Sequence, residues 1–101
     1  MTRTLVWHPG ARLDLLELHD WISERADEPT ATNYTRAVGA KAAKLIELPF
    51  GGSPRPELGS GIRSLSYTGR TVILHRITDT SVEILRIAHR GRDPQRMFPK
   101  R

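Results

Sequence analysis

The run IRSLSYTGRTVILHRITDTSVEILRI, residues 62–87, decides the architecture. From Ile62 to Tyr67 the chain alternates, with Ile62, Ser64 and Ser66 on one face and Arg63, Leu65 and Tyr67 on the other. A period of two is that of a strand. Thr68-Gly-Arg70 reads as a turn, and Thr71-Val-Ile-Leu-His-Arg-Ile77 is β-branched and apolar, which favours a strand with little exposed surface. Thr78-Asp-Thr-Ser81 turns again, and Val82-Glu-Ile-Leu-Arg-Ile87 is a last strand. Three strands joined by short turns predict an antiparallel meander.

Upstream of the meander the period changes. Leu48-Pro-Phe-Gly-Gly-Ser-Pro-Arg-Pro56 holds two glycines and three prolines, a composition that neither a helix nor a central strand accepts. Before it, Tyr34, Val38, Ala42, Leu45 and Leu48 form a helical stripe, which opens at Asp27-Glu-Pro-Thr30 with Pro29 or Thr30 near the cap. An earlier stripe of Ala11, Leu15, Leu18 and Ile22, widened by Leu16 and Trp21, predicts another helix, with Pro9 suited to its first turn. Asp14, Glu17, Asp20 and Glu24 fall mostly off that stripe and read as a solvated acidic face. Thr4-Leu-Val-Trp7 is a short strand stopped by Pro9-Gly10. The order β-α-α-β-β-β predicts an α+β domain, an antiparallel sheet with an N-terminal helical hairpin packed on one face. It occupies residues 1–101 as one domain, with a basic C-terminal tail from about residue 90.

Charge divides the chain unevenly. Residues 1–54 carry six basic and seven acidic side chains, whereas residues 55–101 carry nine Arg and one Lys against four acids. A basic half built from arginine suits an acidic partner, either nucleic acid or an acidic protein segment. A screened, solvated basic tail is the plainer alternative. The absence of cysteine excludes disulfides and thiolate metal sites and fits a reducing compartment. No run approaches the roughly 20 apolar residues of a membrane span, and Met1–Trp7 lacks a signal-peptide core, so a cytoplasmic protein without a membrane partner is expected.

Catalytic patterns are sparse. There is no glycine-rich phosphate loop, no nucleophile elbow and no paired-histidine metal spacing, so neither metal nor cofactor is expected. His75 lies within an apolar strand and reads as a satisfied structural histidine rather than a catalytic one. Trp21 and Tyr34 read as core or interface anchors. The chemistry concentrates in arginine. Arg63 and Arg86 lie on strands, while Arg90, Arg92, Arg96, Lys100 and Arg101 crowd the end of the chain, where mutual repulsion favours an anionic visitor.

Four segments then stand in order: Pro9-x-Ala11-x-x-Asp14-Leu15, Leu48-Pro49-x-x-Gly52, Glu57-Leu58-x-x-Gly61-Ile62-Arg63, and Val82-Glu-Ile-Leu-Arg-Ile-x-His89-x-x-Arg92-Asp93. The ordered set resembles the ParE branch of the ParE/RelE toxin superfamily over about residues 5–93. The resemblance implies the toxic half of a type II toxin–antitoxin pair. A cognate antitoxin would wrap and silence it with a C-terminal segment. RelE-like members cut mRNA on the ribosome, using basic residues on the sheet and a C-terminal aromatic residue.

Arg63 and Arg92 match two of those basic positions. Thr71, however, stands where a third cation would be, and Phe98 near where a tyrosine would supply its hydroxyl. Transfer at a phosphodiester needs a group to activate the attacking hydroxyl and cations to stabilise the phosphorane charge. The departures favour the ParE alternative, a non-enzymatic toxin that traps DNA gyrase on cleaved DNA and arrests growth. On that reading Arg63, Arg86, His89, Arg90 and Arg92 meet the target, and Trp21, Tyr34, Arg63 and Arg86 meet the antitoxin. The resemblance leaves open a homodimer or a hetero-oligomer with antitoxin. It also leaves the RelE-like mRNA interferase, with ribosome and mRNA as partners, as the second reading.

Overall fold

The computed structural model describes residues 3–89 and 93–98. Strand β1 (Thr4–Trp7) leads into helix α1 (Pro9–Arg25), with Pro9 at its first position, where a missing N–H costs nothing. Helix α2 (Glu28–Ala43) begins slightly earlier than the expected cap at Pro29 or Thr30. The cap is Asp27, whose Oδ1 accepts the Thr30 N–H at 2.7 Å. The helix then tightens into a 3-10 turn at Lys44–Ile46. The change of pitch keeps Leu45 buried but turns Leu48, expected on the same stripe, out to 70% exposure.

Strands β2 (Ser53–Pro54), β3 (Ile62–Tyr67), β4 (Thr71–Ile77) and β5 (Ser81–His89) follow. The five strands form one sheet in the order β1-β5-β4-β3-β2. The meander β3-β4-β5 is antiparallel as expected, and the helical hairpin lies on one face. Two pairings extend it. β1 runs parallel to β5 with Leu5 opposite Val82, and the proline-rich segment adds β2 as a two-residue edge beside β3. Proline is tolerated there because an edge strand need not donate on its outer side. Gly52 makes the approach possible. Its φ is +80°, and a Cβ would stand 2.1 Å from the Ser64 carbonyl oxygen.

The sheet buries both faces. Under the helices, Ile73, Val82, Ile84 and Ile87 meet Ala11, Val38, Ala42 and Leu45. On the opposite face, Leu58, Ile62, Leu74 and Leu85 form a second core, covered by Met97 and Phe98. Those two residues belong to a 3-10 turn at Pro94–Met97 and the residue after it, so this part of the basic end folds back on the sheet.

On α1 the buried residues are Ala11, Asp14 and Leu18, spaced three and four apart. Asp14 is therefore not on the solvated acidic face, and Leu16, expected to widen the stripe, is 61% exposed. The reason lies in β5. The pairing shifts between Leu74 and His75, leaving Leu85 as an extra residue, while β1 ends at Trp7. Beyond the last ladder bond, from His8 N–H to the Ile84 carbonyl, the outer edge of β5 has lost its neighbour. Asp14 Oδ2 accepts the Ile87 N–H at 2.9 Å and stands in for the missing strand.

Candidate functional site

Where α1 and α2 splay from the end of β4 and β5, a groove of about 800 Å³ opens. Leu18, Trp21 and Ile22 of α1 form one wall, Thr30 and Tyr34 of α2 another, and Val72, Ala88 and His89 the floor. Gly69, Arg70 and Pro94 stand at its rim. Three residues named from the sequence, Trp21, Tyr34 and His89, thus come together, although 68 positions separate the first from the last. The lining is mostly apolar, with a few polar groups, as in sites that take a side chain or a peptide segment rather than a bare ion. The Arg25 guanidinium lies 4.5 Å above the Trp21 ring and extends the wall.

Tyr34 shapes the rim. Its hydroxyl lies 2.7 Å from Thr71 Oγ1 and 2.9 Å from Thr68 Oγ1, and its ring meets that of Tyr67 edge-on at 5.5 Å. Thr68 has φ +57°, a conformation that a β-branched residue adopts only when its surroundings hold it. This network brings Arg70, which the sequence reading did not single out, to the groove.

The arginines do not share one surface. Arg63 Nη2 donates to the Phe50 carbonyl at 2.7 Å and less directly to that of Gly52, and its guanidinium lies 5.7 Å from the Phe50 ring. It braces the proline-rich loop at the end of β3 away from the groove. Arg86 Nε and Nη2 grip both oxygens of Asp14 at 2.7 and 2.9 Å, and its Nη1 donates to the Met97 carbonyl at 3.2 Å. The carboxylate is the main cause of a raised Arg86 pKa. Both arginines expected to meet target and antitoxin therefore have internal tasks. Arg90 and Arg92 lie outside the described residues. Asp14 is the functional-looking residue that the sequence reading misplaced. Its spacing of three from Ala11 and four from Leu18 was the signal.

His75 is buried as expected. Neither ring nitrogen has a hydrogen-bond partner of good geometry. Burial lowers its pKa below the ordinary histidine value, an Ile73 backbone group offsets part of that, and Arg63 across the ladder lowers it further. Among the described residues no cluster of three or more His, Asp or Glu could hold a metal ion, and no helix is long and apolar enough to cross a membrane.

Residues 5–94 match the family model of the ParE toxin of type II toxin–antitoxin systems. The chain belongs to the ParE toxin family. Among solved structures, this ParE-family chain is similar to one from the RelBE2 toxin–antitoxin complex of Mycobacterium tuberculosis, at 30% identity and a TM-score of 0.65. That match covers 89% of this chain and 100% of the other. Its fold is also that of a chain from the chromosomal ParDE system of P. aeruginosa, at 21% identity and a TM-score of 0.77, covering 87% and 96%. None of the curated proteins compared with the chain matches it. The chain is a type II toxin of the ParE family, and its helical hairpin on an antiparallel meander is the fold of these relatives.

Proposed function

We propose that this ParE-family toxin is a non-enzymatic inhibitor of DNA gyrase, held silent by a cognate antitoxin seated in the groove of Trp21, Tyr34 and His89. The observation that carries the first half is Thr71. At the position where RelE-like nucleases place a cation, this chain has a threonine that is 1% exposed, with its hydroxyl bound to Tyr34. It offers no charge to a phosphorane. Arg63 and Arg86, already engaged with carbonyls and a carboxylate, add to that reading. Phe98 packs its ring against the second core and has no hydroxyl to transfer a proton.

The antitoxin half rests on the groove's chemistry and on the relatives, which are solved as toxin–antitoxin assemblies. An apolar trench rimmed by Arg70 and Arg25 suits a segment with apolar anchors and acidic flanks. Arg90 and Arg92, the family-like residues after β5, are assigned to the target together with His89. The protein belongs in the cytoplasm, where gyrase and DNA are.

The test is direct. Purified protein added to gyrase, supercoiled DNA and ATP should accumulate linear DNA after denaturation. Transcripts cut at the ribosomal A site with gyrase unaffected would reverse the assignment in favour of the mRNA interferase.

A further inference from the structure

We propose that Arg86 is a positioning residue. With Asp14 it forms a clasp by which helix α1 sets the place of the C-terminal turn at Pro94–Met97. The consequence for toxicity rests on the reading above, whereas the clasp itself does not.

Three of the five guanidinium N–H groups point into the protein. Two make a parallel fork on the Asp14 carboxylate, and one reaches the Met97 carbonyl. Asp14 is 2% exposed and also holds the Ile87 N–H, so it cannot turn away without leaving β5 unsatisfied. Gly10 seats the arginine stem. A Cβ there would stand 3.0 Å from Arg86 Cδ and 3.3 Å from Nε.

The turn is thus attached twice. Met97 and Phe98 are held by apolar contact with the second core, which brings the turn near but does not orient it. The bond to the Met97 carbonyl is directional and fixes its register. Within the turn, Asp93 accepts from the Gln95 and Arg96 N–H groups, one through its side chain and one through its carbonyl. Those two amides report whether the turn is closed.

Arg86→Lys keeps a cation beside Asp14 but loses the planar fork that spans carboxylate and carbonyl. Amide exchange at Gln95 and Arg96, followed by NMR, should quicken about tenfold while Ile73 in the core is unchanged. Gly10→Ala is the second variant and displaces the clasp without touching its charge. It should give the same pattern. Alanine is the better helix former, so without a clasp this change leaves the turn amides as they are or slows them. Unaltered exchange at Gln95 and Arg96 in both variants overturns the proposal, as does an equal rise at Ile73. Both variants should also fail to arrest growth at induction levels at which the wild type does. Arrest that persists despite a loosened turn overturns the positioning role. A wild type that arrests nothing overturns the toxin reading and leaves the exchange data to decide the clasp.

Discussion

The Tyr34 hydroxyl of α2 bridges the Thr71 hydroxyl at 2.7 Å and the Thr68 hydroxyl at 2.9 Å, so one phenol ties the helical hairpin to the turn between β3 and β4. Thr71 is buried and Thr68 is held at φ +57°, which makes the phenol both a hydrogen-bond partner and a restraint.

Tyr34→Phe should therefore cost about 1–3 kcal/mol, since it strands a buried hydroxyl. Thr68→Gly, in contrast, relieves a backbone conformation worth about 1 kcal/mol or more. The penalty of Tyr34→Phe should shrink on the Thr68→Gly background, because one of the two tasks has gone. Urea unfolding of the four proteins measures this. Strict additivity would mean that the hydroxyl does not restrain the turn.

Asp14→Ala should be far more damaging than Glu17→Ala. Removing a buried carboxylate that pairs with the half-buried Arg86 and satisfies the Ile87 N–H should cost about 2 kcal/mol or more. A carboxylate near a helix start is worth only about 0.3–1 kcal/mol through the helix dipole, so that effect alone would leave the two variants close. Thermal melts of the pair decide it, and equal shifts would remove Asp14 from its structural role.

The meander and the two helices are legible from the alternation in β3, the apolar, β-branched runs of β4 and β5 without proline or glycine, and the three- and four-residue spacings of the helices. β2 was not, since two residues ending in proline have no period to read. For Asp14 charge and spacing point opposite ways, the one to solvent and the other, three from Ala11 and four from Leu18, to the core. Burial of a carboxylate depends on a partner from β5, 72 residues away, which no local pattern records. Arg63 and Arg86 were read as outward cations for the same reason, their carbonyl and carboxylate acceptors lying on other elements. The aromatic pair was recognised as anchors, but that Trp21, Tyr34 and His89 share one groove emerges only from the packing of the hairpin on the sheet.

His75 should make the fold sensitive to mild acid. Its folded pKa lies below the unfolded 6.5, mainly through burial, so the unfolded chain takes up the proton first. The contribution is fully present above 6.5 and is lost as pH falls from there toward the depressed folded value. Stability measured between about pH 7.5 and 5.5 should decline on the acid side for the wild type. His75→Leu, of similar reach and without titration, should flatten that decline. An equally steep loss in the variant would place the acid sensitivity elsewhere.

Antitoxin binding should depend on the groove and only modestly on salt. Ile22 lines the trench, whereas Leu16 lies on the other side of α1 in a shallower dent with Trp7 and His19. Ile22→Asp should weaken the complex about 100-fold or more, because a carboxylate would be buried among Leu18, Trp21 and Val72 without a partner. Leu16→Asp, on an exposed site, should leave affinity nearly unchanged. Contacts made by apolar anchors are insensitive to ionic strength, and rim charges such as Arg70 lose most of their pull once the Debye length falls to about 8 Å. Affinity of the wild type should thus fall only a few-fold between low and physiological salt, as calorimetry can measure. A steep salt dependence, with Ile22→Asp still binding, would move recognition from the groove to the basic half of the chain.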